Sequence, residues 1–396
     1  MFKTIKNPGL RRRIKSHIIA RQHVFFAVVQ PGFEKIAAAE FSGMDLQVKD
    51  DFIEGGLEFA GKMDSCYRAC LSSRTASRIM MRTGEFRTSN FFELERTIRS
   101  FPWELYIYRV AGLKFRTSTA KSMIYHSGKL EDLFTAGIKS RFESAETEHA
   151  CNGESPAQTV FLRNIRDVCT VSLDSSGEFL YKRTDNKLVT RATLRETTAS
   201  LILLAAGIRG YEQIYDPMCG SGTFSIEAAF VFTETPPGHE RIFPFMNWPC
   251  FREDTFRFIK NSAMKNVIPQ EMVPRKIFTS DIDPEAVRIA RLNVPERFSK
   301  IVEPQVMDFF SLAPDSVKEK KTLIILNPPY GKRLDEGEIL SLYRETGEKI
   351  RKDLSGCGYA IIVPGKEKER ALNIPYDRRI QFMNGGIKVA VLFKDI

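Results

Sequence analysis

The chain has 396 residues, of which 43% are hydrophobic, so it is long enough for two or three domains with cores of their own. Its net charge of +10 favours a negatively charged partner such as nucleic acid. No apolar run reaches the roughly 18 residues that a membrane span needs, and the seven scattered cysteines, none in a CxxC pair, argue against a disulfide framework and a zinc site.

We expect a cytoplasmic protein without a bound metal. Unpaired cysteines are typical of a reducing compartment, the N-terminus lacks the apolar segment of a secretory signal, and the five histidines show no metal-ligand spacing. The positive charge is uneven, because residues 1–190 carry 29 Lys and Arg against 22 Asp and Glu, whereas the remainder carries 30 against 27. The first half is therefore expected to contact phosphates, although an ordinary basic surface would look the same. The oligomeric state stays open.

Residues 1–22 form a basic arm that contains no acidic residue and includes the run LRRRIK at 10–15. This composition predicts a disordered segment that touches RNA or a plain solvated tail. A transit peptide is a weaker third interpretation, because the arm is poor in serine.

Two small α+β modules are expected next, a ferredoxin-like domain over 23–80 and a second domain over 81–183. The predicted strands are 23–29, 55–59, 77–82, 113–119, 159–166, 167–172 and 178–181, and the predicted helices are 31–41, 64–71, 91–100 and 129–142.

After a polar linker at 184–193, strands alternate with helices over 194–396. Strands are predicted at 213–216, 276–280, 303–307, 322–326, 359–363, 379–383 and 388–393, and helices at 194–208, 223–232, 284–293 and 337–354. This alternation predicts an α/β, Rossmann-like doubly wound parallel sheet. The Asn384-Gly385-Gly386 segment between apolar runs adds an antiparallel hairpin at its end.

Two segments of this second half carry the chemistry. The first, IYDPMCGSGT at 214–223, is a strand, a glycine-rich turn and a helix start, which together make a cradle for a nucleotide. The second, LIILNPPYG at 323–331, is a buried strand that ends in Asn-Pro-Pro-Tyr. Because ligands bind beyond the carboxyl ends of parallel strands, both turns should face one crevice. A dinucleotide site is disfavoured, since the loop has only GxG and Asp281, the next acid at a strand end, comes 65 positions after Asp216.

DPMCGSGT followed by NPPY resembles the S-adenosylmethionine-dependent amino-methyltransferases, and most closely the THUMP-domain ribosomal RNA guanine-N2 methyltransferases and their transfer RNA relatives. The resemblance extends from about Val24 to the end of the chain. Residues 74–90, the Phe101-Pro102-Trp103 turn and residues 121–128 resemble a THUMP domain and its ferredoxin-like neighbour, which grip structured RNA in that family. Long bacterial members carry a second methyltransferase domain that this sequence lacks, so a single reaction is expected.

The resemblance implies S-adenosylmethionine as cofactor, with Asp281 accepting hydrogen bonds from the ribose hydroxyls and Asp308 meeting the adenine amino group. Cys219 is expected to be a small loop residue and not a nucleophile, and Asp283 a helix cap. The implied cofactor site comprises Asp216, Pro217, Cys219, Gly220, Ser221, Gly222, Thr223, Asp281, Ile282, Asp308 and Phe309.

The predicted catalytic residues are Asn327, Pro328, Pro329 and Tyr330. The lone pair of an exocyclic nucleobase amine is conjugated and poorly nucleophilic. If the Asn327 oxygen and the Pro328 carbonyl accept its two hydrogens, the nitrogen moves toward tetrahedral geometry and its lone pair becomes available. Prolines hold that carbonyl in place, and Tyr330 can stack on a flipped base.

Basic residues in both halves are candidates for phosphate contacts: Arg74, Arg78, Arg82, Arg87, Arg116, Lys121, Lys332 and Arg333. For each of them a solvated surface charge is the competing interpretation.

The favoured substrate is a guanine of large-subunit (23S-type) ribosomal RNA. Transfer RNA is the alternative, and adenine N6 or a glutamine amide of a release factor are further NPPY targets. A non-catalytic RNA-binding assembly factor is a different class of function. The intact DPMCGSGT, Asp281 and NPPY argue against it.

Overall fold

The computed structural model describes residues 5, 7–108, 110, 112–144, 157–183, 188, 194–313, 320–330 and 335–396. These residues fold into two units, of which the first comprises residues 1–28, 40–180 and 240–262 and the second residues 29–39, 181–239 and 263–396. Of the predicted linker at 184–193 only Leu188 belongs to the described residues, and Lys332 and Arg333 lie outside them.

The basic arm is helical over residues 8–19, so the prediction of a disordered arm is wrong there. Helix α1 (Pro8–Ile14) begins at Asn7, whose side chain accepts a hydrogen bond from the Leu10 N–H at 3.1 Å. Leu10, Ile14 and Ile18 recur every four residues and are all buried, which gives the arm an apolar face. Arg13 forms an ion pair with Glu104 at 2.9 Å within the first unit.

The first unit is built on a seven-stranded sheet in the order β2-β3-β1-β4-β7-β6-β5, in which only β5 and β6 pair in parallel. Residues 178–181 form a bend and a turn instead of the predicted strand. In chain order the elements of this half of the sequence are β1 (His23–Val28), α2 (Glu34–Gly43), β2 (Gln47–Val48), β3 (Gly56–Gly61), α3 (Met63–Ser72), β4 (Arg78–Arg87), α4 (Phe91–Ser100), β5 (Leu113–Ala120), α5 (Ser127–Ser144), β6 (Gln158–Ile165) and β7 (Val168–Asp174).

The second unit contains the doubly wound sheet that the alternation predicts, in the order β10-β9-β8-β11-β12-β14-β13. In chain order the elements of this half of the sequence are α6 (Glu196–Ala205), β8 (Gln213–Asp216), α7 (Thr223–Phe232), α8 (Glu253–Lys265), β9 (Lys276–Asp281), α9 (Pro284–Asn293), β10 (Val302–Val306), β11 (Thr322–Leu326), α10 (Glu336–Asp353), β12 (Gly358–Pro364), α11 (Gly365–Leu372), β13 (Arg378–Asn384) and β14 (Ile387–Lys394), and most of α8 belongs to the first unit. Strands β10, β9, β8, β11 and β12 are parallel, and the predicted terminal hairpin adds β14 and β13 antiparallel to them.

The central strands explain where the core of the second unit lies. All five residues of β11 and all four of β8 are buried, as expected for parallel strands that are covered on both faces. The α/β fold predicted from the sequence is therefore confirmed.

Residues 240–262, part of the long insertion between β8 and β9, belong to the first unit. The predicted domain boundary at 194 placed them in the second domain. Within that unit Tyr67 stacks on Phe245 with ring centroids 4.8 Å apart, and the Trp248 indole N–H donates to the Gln158 amide oxygen at 2.8 Å. Burial of these large aromatic rings stabilises the packing of the segment within the first unit. The sequence showed the aromatic residues but not the surface that receives them.

None of the helices in the described residues combines the length and the apolar character that a membrane-spanning segment needs. The same residues contain no group of three or more His, Cys, Asp or Glu side chains placed to hold a metal ion.

Candidate active site

The glycine-rich turn after β8 is anchored by a buried carboxylate. Asp216 is the last residue of the strand, and its Oδ2 accepts hydrogen bonds from the Ser225 N–H at 3.2 Å and the Ser225 hydroxyl at 2.7 Å. These bonds fix the first turn of α7 to the end of β8. Complete burial raises the pKa of Asp216 from 3.8 to about 7.

Gly222 closes this turn and needs the freedom of glycine. Its φ of +80° is left-handed, and a Cβ at this position would lie 3.3 Å from the Ala290 side chain. Helix α7 therefore begins close to α9. This close approach leaves the preceding residues, Gly220 and Ser221, at the surface of a cavity.

Asp281 ends the neighbouring strand β9 and faces the same loop. Its Oδ2 accepts from the Gly220 N–H at 2.8 Å and its Oδ1 from the Asp283 N–H at 3.0 Å. A carboxylate oxygen has two lone pairs, so each oxygen keeps one acceptor site for a ligand. Asp281 is half-buried and lines the cavity, which suits a bidentate contact with two hydroxyl groups.

Asp308 and Phe309 follow β10 and lie in the same cavity wall. The Asp308 carboxylate accepts from the Phe310 N–H at 3.0 Å and so caps the short 3-10 turn Phe309–Ser311. Phe309 is buried, and the Lys349 ammonium donates to the carbonyls of Phe310 (3.0 Å) and Leu312 (2.9 Å) on the far side of this turn. Asp308 therefore caps this turn, and it keeps one carboxylate oxygen for another partner.

The Asn-Pro-Pro-Tyr segment follows β11 and lies on the same cavity as the glycine turn. The Asn327 Oδ1 atom is fully buried and has no hydrogen-bond partner among the described residues. Buried amide oxygens are rarely left unpaired, because desolvation without a compensating bond costs roughly 1–3 kcal/mol. Asn327 also lines the cavity, so a ligand that carries an N–H can supply the missing partner there.

The cavity has a volume of about 630 Å³, and the structure brings most of the predicted site residues into its wall. Asp216 and Gly222 are not in that wall, and they act on it from behind by fixing the turn. The predicted residues that line it are Pro217, Cys219, Gly220, Ser221, Thr223, Asp281, Ile282, Asp308, Phe309, Asn327, Pro328, Pro329 and Tyr330.

Cys219 lies in this wall as a neutral thiol. Burial raises its pKa well above the ordinary range, and the nearby carboxylates of Asp216 and Asp281 raise it further. A thiolate is therefore disfavoured, which agrees with the interpretation of Cys219 as a small loop residue. Asp283 caps helix α9 by accepting from the Glu285 N–H at 2.9 Å, as predicted.

Several residues of the site were not identified from the sequence. The cavity wall also contains Leu194, Met218, Phe224, Ala286, Phe310 and Leu342. The sequence predicts Asn384 as part of the hairpin turn and not as a site residue, yet its amide contacts the Tyr330 hydroxyl. These two residues are 54 positions apart, so no local pattern could have shown the contact.

Three of the predicted phosphate-binding arginines are engaged inside the first unit. Arg74 is buried, Arg78 forms an ion pair with Asp174, and Arg82 forms one with Glu58 at 3.3 Å. Arg78 also lies over the Phe179 ring and Arg82 over the Phe26 ring, each at 4.5 Å. These contacts correct the prediction, because they favour structural roles. By contrast Arg87, Arg116 and Lys121 are exposed.

The residues of the cavity fit S-adenosylmethionine. Asp281 offers two acceptor positions for a ribose, the glycine turn allows close approach of the ligand, and the wall is largely apolar around Phe309 and Ile282. The volume of about 630 Å³ lies in the range typical of small-molecule sites.

Comparison with known proteins agrees with this geometry. Residues 183–391 match the family described as "RMKL-like, methyltransferase domain", and residues 24–80 match the "RlmL ferredoxin-like domain". The chain belongs to the RMKL-like methyltransferase family. The Ribosomal RNA large subunit methyltransferase K/L of Syntrophotalea carbinolica is 30% identical over 392 residues, which cover 94% of this chain and 53% of that protein. The chain thus spans about half the length of this relative.

Two further similar proteins are matched by this chain over nearly their whole length. The protein slr0064 of Synechocystis sp. is 27% identical over 373 residues, which are 93% of this chain and 95% of that protein. The crystal structure of SMU.472 in complex with S-adenosylhomocysteine superposes with a TM-score of 0.82 at 25% identity, covering 95% of this RMKL-like chain and 98% of that one.

Proposed function

We propose that the protein transfers a methyl group from S-adenosylmethionine to the exocyclic N2 of a guanine in large-subunit ribosomal RNA. The observation that carries the proposal is the buried, unpaired Asn327 Oδ1 on the same cavity as the Asp281–Gly220 cradle. Membership of the RMKL-like family supports methyl transfer. The name of the Syntrophotalea relative supports ribosomal RNA as the substrate.

Each cofactor contact follows from the acceptors that the second unit presents. The two Asp281 oxygens would accept hydrogen bonds from the ribose hydroxyls, the remaining Asp308 acceptor would accept one from the adenine amino group, and Ile282 and Phe309 of the cavity wall would offer apolar contacts to the adenine. When bound, S-adenosylmethionine supplies an electrophilic methyl group on a sulfonium. The turn at 220–222, which follows β8, would let the cofactor approach the backbone closely.

Asn327 and Pro328 prepare the acceptor amine. The Asn327 oxygen and the Pro328 carbonyl each accept one hydrogen of the amine, which directs the nitrogen lone pair into the cavity. Tyr330 stacks on the flipped base, a contact worth ~1–3 kcal/mol in single-strand sites. Positioning supplies most of the rate gain, and no strong base is required, because the N–H becomes acidic once the nitrogen is methylated.

RNA binding is assigned to exposed cations of the first unit. Arg87, Arg116 and Lys121 have solvent-exposed side chains, so they can neutralise phosphates without the loss of an internal ion pair. Lys332 and Arg333 follow Tyr330 in the sequence and are proposed to meet phosphates that flank the target. In this proposal 1–22 is a basic arm, 23–80 a ferredoxin-like domain, 81–183 a THUMP domain and 194–396 the catalytic domain of a cytoplasmic enzyme.

Nucleoside mass spectrometry tests the proposal as a whole. Ribosomal and transfer RNA from a deletion strain and its parent are digested and compared. We expect N2-methylguanosine to decrease in the large-subunit RNA of the deletion strain, and expression of the wild-type chain to restore it. A loss confined to transfer RNA would transfer the proposal to that substrate, and a loss of N6-methyladenosine would contradict the guanine assignment.

Replacement of Asn327 tests the catalytic assignment directly. Asn327→Ala is expected to lower the methylation rate by roughly 10²–10³-fold, the typical cost of removing one polar group that acts in the transition state. Binding of S-adenosylmethionine and of RNA should persist, as measured by calorimetry and filter binding. Asn266→Ala, at an exposed asparagine of the same unit, is the matched control. Full turnover by Asn327→Ala would refute the role.

A further inference from the structure

The terminal hairpin reaches the same edge of the sheet as the catalytic turn. Strand β14 runs antiparallel to β12, and its first residues pair with the last residues of β12, Val389 with Pro364 and Ala390 with Val363. Since β12 is parallel to β11, the turn between β13 and β14 lies at the carboxyl edge. Asn327 leaves β11 at this edge.

The hairpin turn has a fixed conformation. Asn384 pairs with Ile387, which leaves Gly385 (φ +56°) and Gly386 (φ +83°) as the two turn residues. Positive φ at both positions is typical of a type I′ turn, whose twist matches that of the strands. A Cβ at either glycine would meet no atom within 4 Å, so the backbone conformation and not crowding requires glycine. The turn therefore holds Asn384 in a defined place.

The side chain of Asn384 contacts the aromatic residue of the catalytic turn. Its amide nitrogen donates to the Tyr330 hydroxyl oxygen over 2.5 Å. Tyr330 lines the cavity and is partly buried, and its burial raises the pKa of the phenol, so the hydroxyl stays neutral and keeps its own proton to donate. The contact restrains the outer end of a ring whose other end is attached to the Pro-Pro segment.

We propose that Asn384 is a positioning residue of the acceptor site, which holds the Tyr330 ring in the orientation needed to stack on the target base. The inference rests on the proposed function. It adds the terminal hairpin to the acceptor-base site, although none of the described residues that line the cavity comes from β13 or β14. A ring whose orientation is fixed before the base binds loses less conformational entropy on binding. The contact is therefore expected to strengthen the binding of RNA and to leave the binding of S-adenosylmethionine unchanged.

Steady-state kinetics with ribosomal RNA from the deletion strain test this role. Asn384→Ala is expected to lower kcat/KM for RNA roughly three- to tenfold, as for loss of one hydrogen bond, with KM for S-adenosylmethionine unchanged. Tyr330→Phe keeps the ring and removes the acceptor, so it should show a similar loss. The double variant should lose little more than either single variant, because both changes break one contact.

The neighbouring residue supplies a matched control. Met383 is exposed and, as the residue before Asn384, points to the opposite face of β13 from Asn384. Met383→Ala should therefore leave kcat/KM for RNA unchanged. Thermal unfolding of each variant checks that the hairpin is intact. Wild-type kcat/KM in Asn384→Ala, multiplied losses in the double variant, or an equal loss of S-adenosylmethionine binding would overturn the inference. A wild-type chain that methylates no RNA would instead defeat the proposed function.

Discussion

Adjacent strands β8 and β11 both end in a buried acceptor that lacks a partner, yet the two ends behave differently. Asp216 Oδ1 and Asn327 Oδ1 are each unpaired among the described residues. Asp216 can relieve this cost by taking up a proton, and its pKa is raised accordingly to about 7. An amide cannot titrate, so the cost at Asn327 persists until a donor arrives.

The contrast separates a structural end from a reactive end of the same cavity. Asp216 lies behind the cavity wall and already binds Ser225, whereas Asn327 is part of the wall. Asp281, at the end of β9, combines a structural and a ligand-binding role. It accepts hydrogen bonds from two backbone N–H groups and keeps two acceptor positions for a ligand. An unpaired buried acceptor thus indicates a ligand site only when it faces a cavity and cannot be neutralised.

The largest expected effect concerns Asp216 and the pH dependence of folding. Between about pH 4 and pH 7 the folded state holds a proton on Asp216 that the unfolded state releases. The free energy of unfolding contributed by this group therefore falls as pH rises through that window, by about 4 kcal/mol in total. Asp216→Asn should remove this contribution, as measured by urea unfolding at pH 4.5, 6 and 8.

The comparison between wild type and Asp216→Asn reports the titration of Asp216 together with its charge coupling to Asp281, because all other titrating residues are common to both chains. The variant should gain stability relative to wild type as pH rises. Identical pH profiles for the two chains would mean that Asp216 is ionised in the folded state. The contrast with Asn327 would then disappear.

A smaller effect is expected at Asp281, whose carboxylate is proposed to accept hydrogen bonds from two ligand hydroxyl groups. Asp281→Ala removes two charge-assisted hydrogen bonds and should weaken S-adenosylmethionine binding by roughly 10²-fold, as measured by calorimetry. Glu285→Gln changes a nearby surface acid of α9, which pairs with Arg288, and serves as the control. Unchanged affinity in Asp281→Ala would show that the cofactor does not use the end of β9.

Much of this fold could be predicted from the sequence, because its pattern is local. The run of apolar residues in β11 and the small residues at 219–222 each indicate their element without reference to the rest of the chain. The helix of the basic arm was missed, although Leu10, Ile14 and Ile18 repeat every four residues, because the charges between them dominate the composition.

What depends on long-range contacts could not be predicted. The contact between Asn384 and Tyr330 joins a hairpin turn to a strand end, and only the strand order brings them together. The partners of Arg78 and Arg82, Asp174 and Glu58, come from other strands of the sheet, so a surface role and a structural role looked alike. Orphaned acceptors such as Asn327 Oδ1 are visible only when burial is known.

The smallest effect is expected at Gly222, which tests whether the glycine turn is required for its shape. Gly222→Ala places a Cβ at φ +80° and 3.3 Å from the Ala290 side chain, and should cost about 1–3 kcal/mol of folding free energy. Gly128→Ala is the matched control, because its φ is not positive and a Cβ there meets no atom within 4 Å. If thermal unfolding shows equal stability for both variants, the turn adapts to a side chain. A loss for Gly222→Ala alone, together with weaker S-adenosylmethionine binding, would show that the cofactor end of the cavity is rigid before the ligand binds. The acceptor end would then be the part of the cavity that a ligand completes.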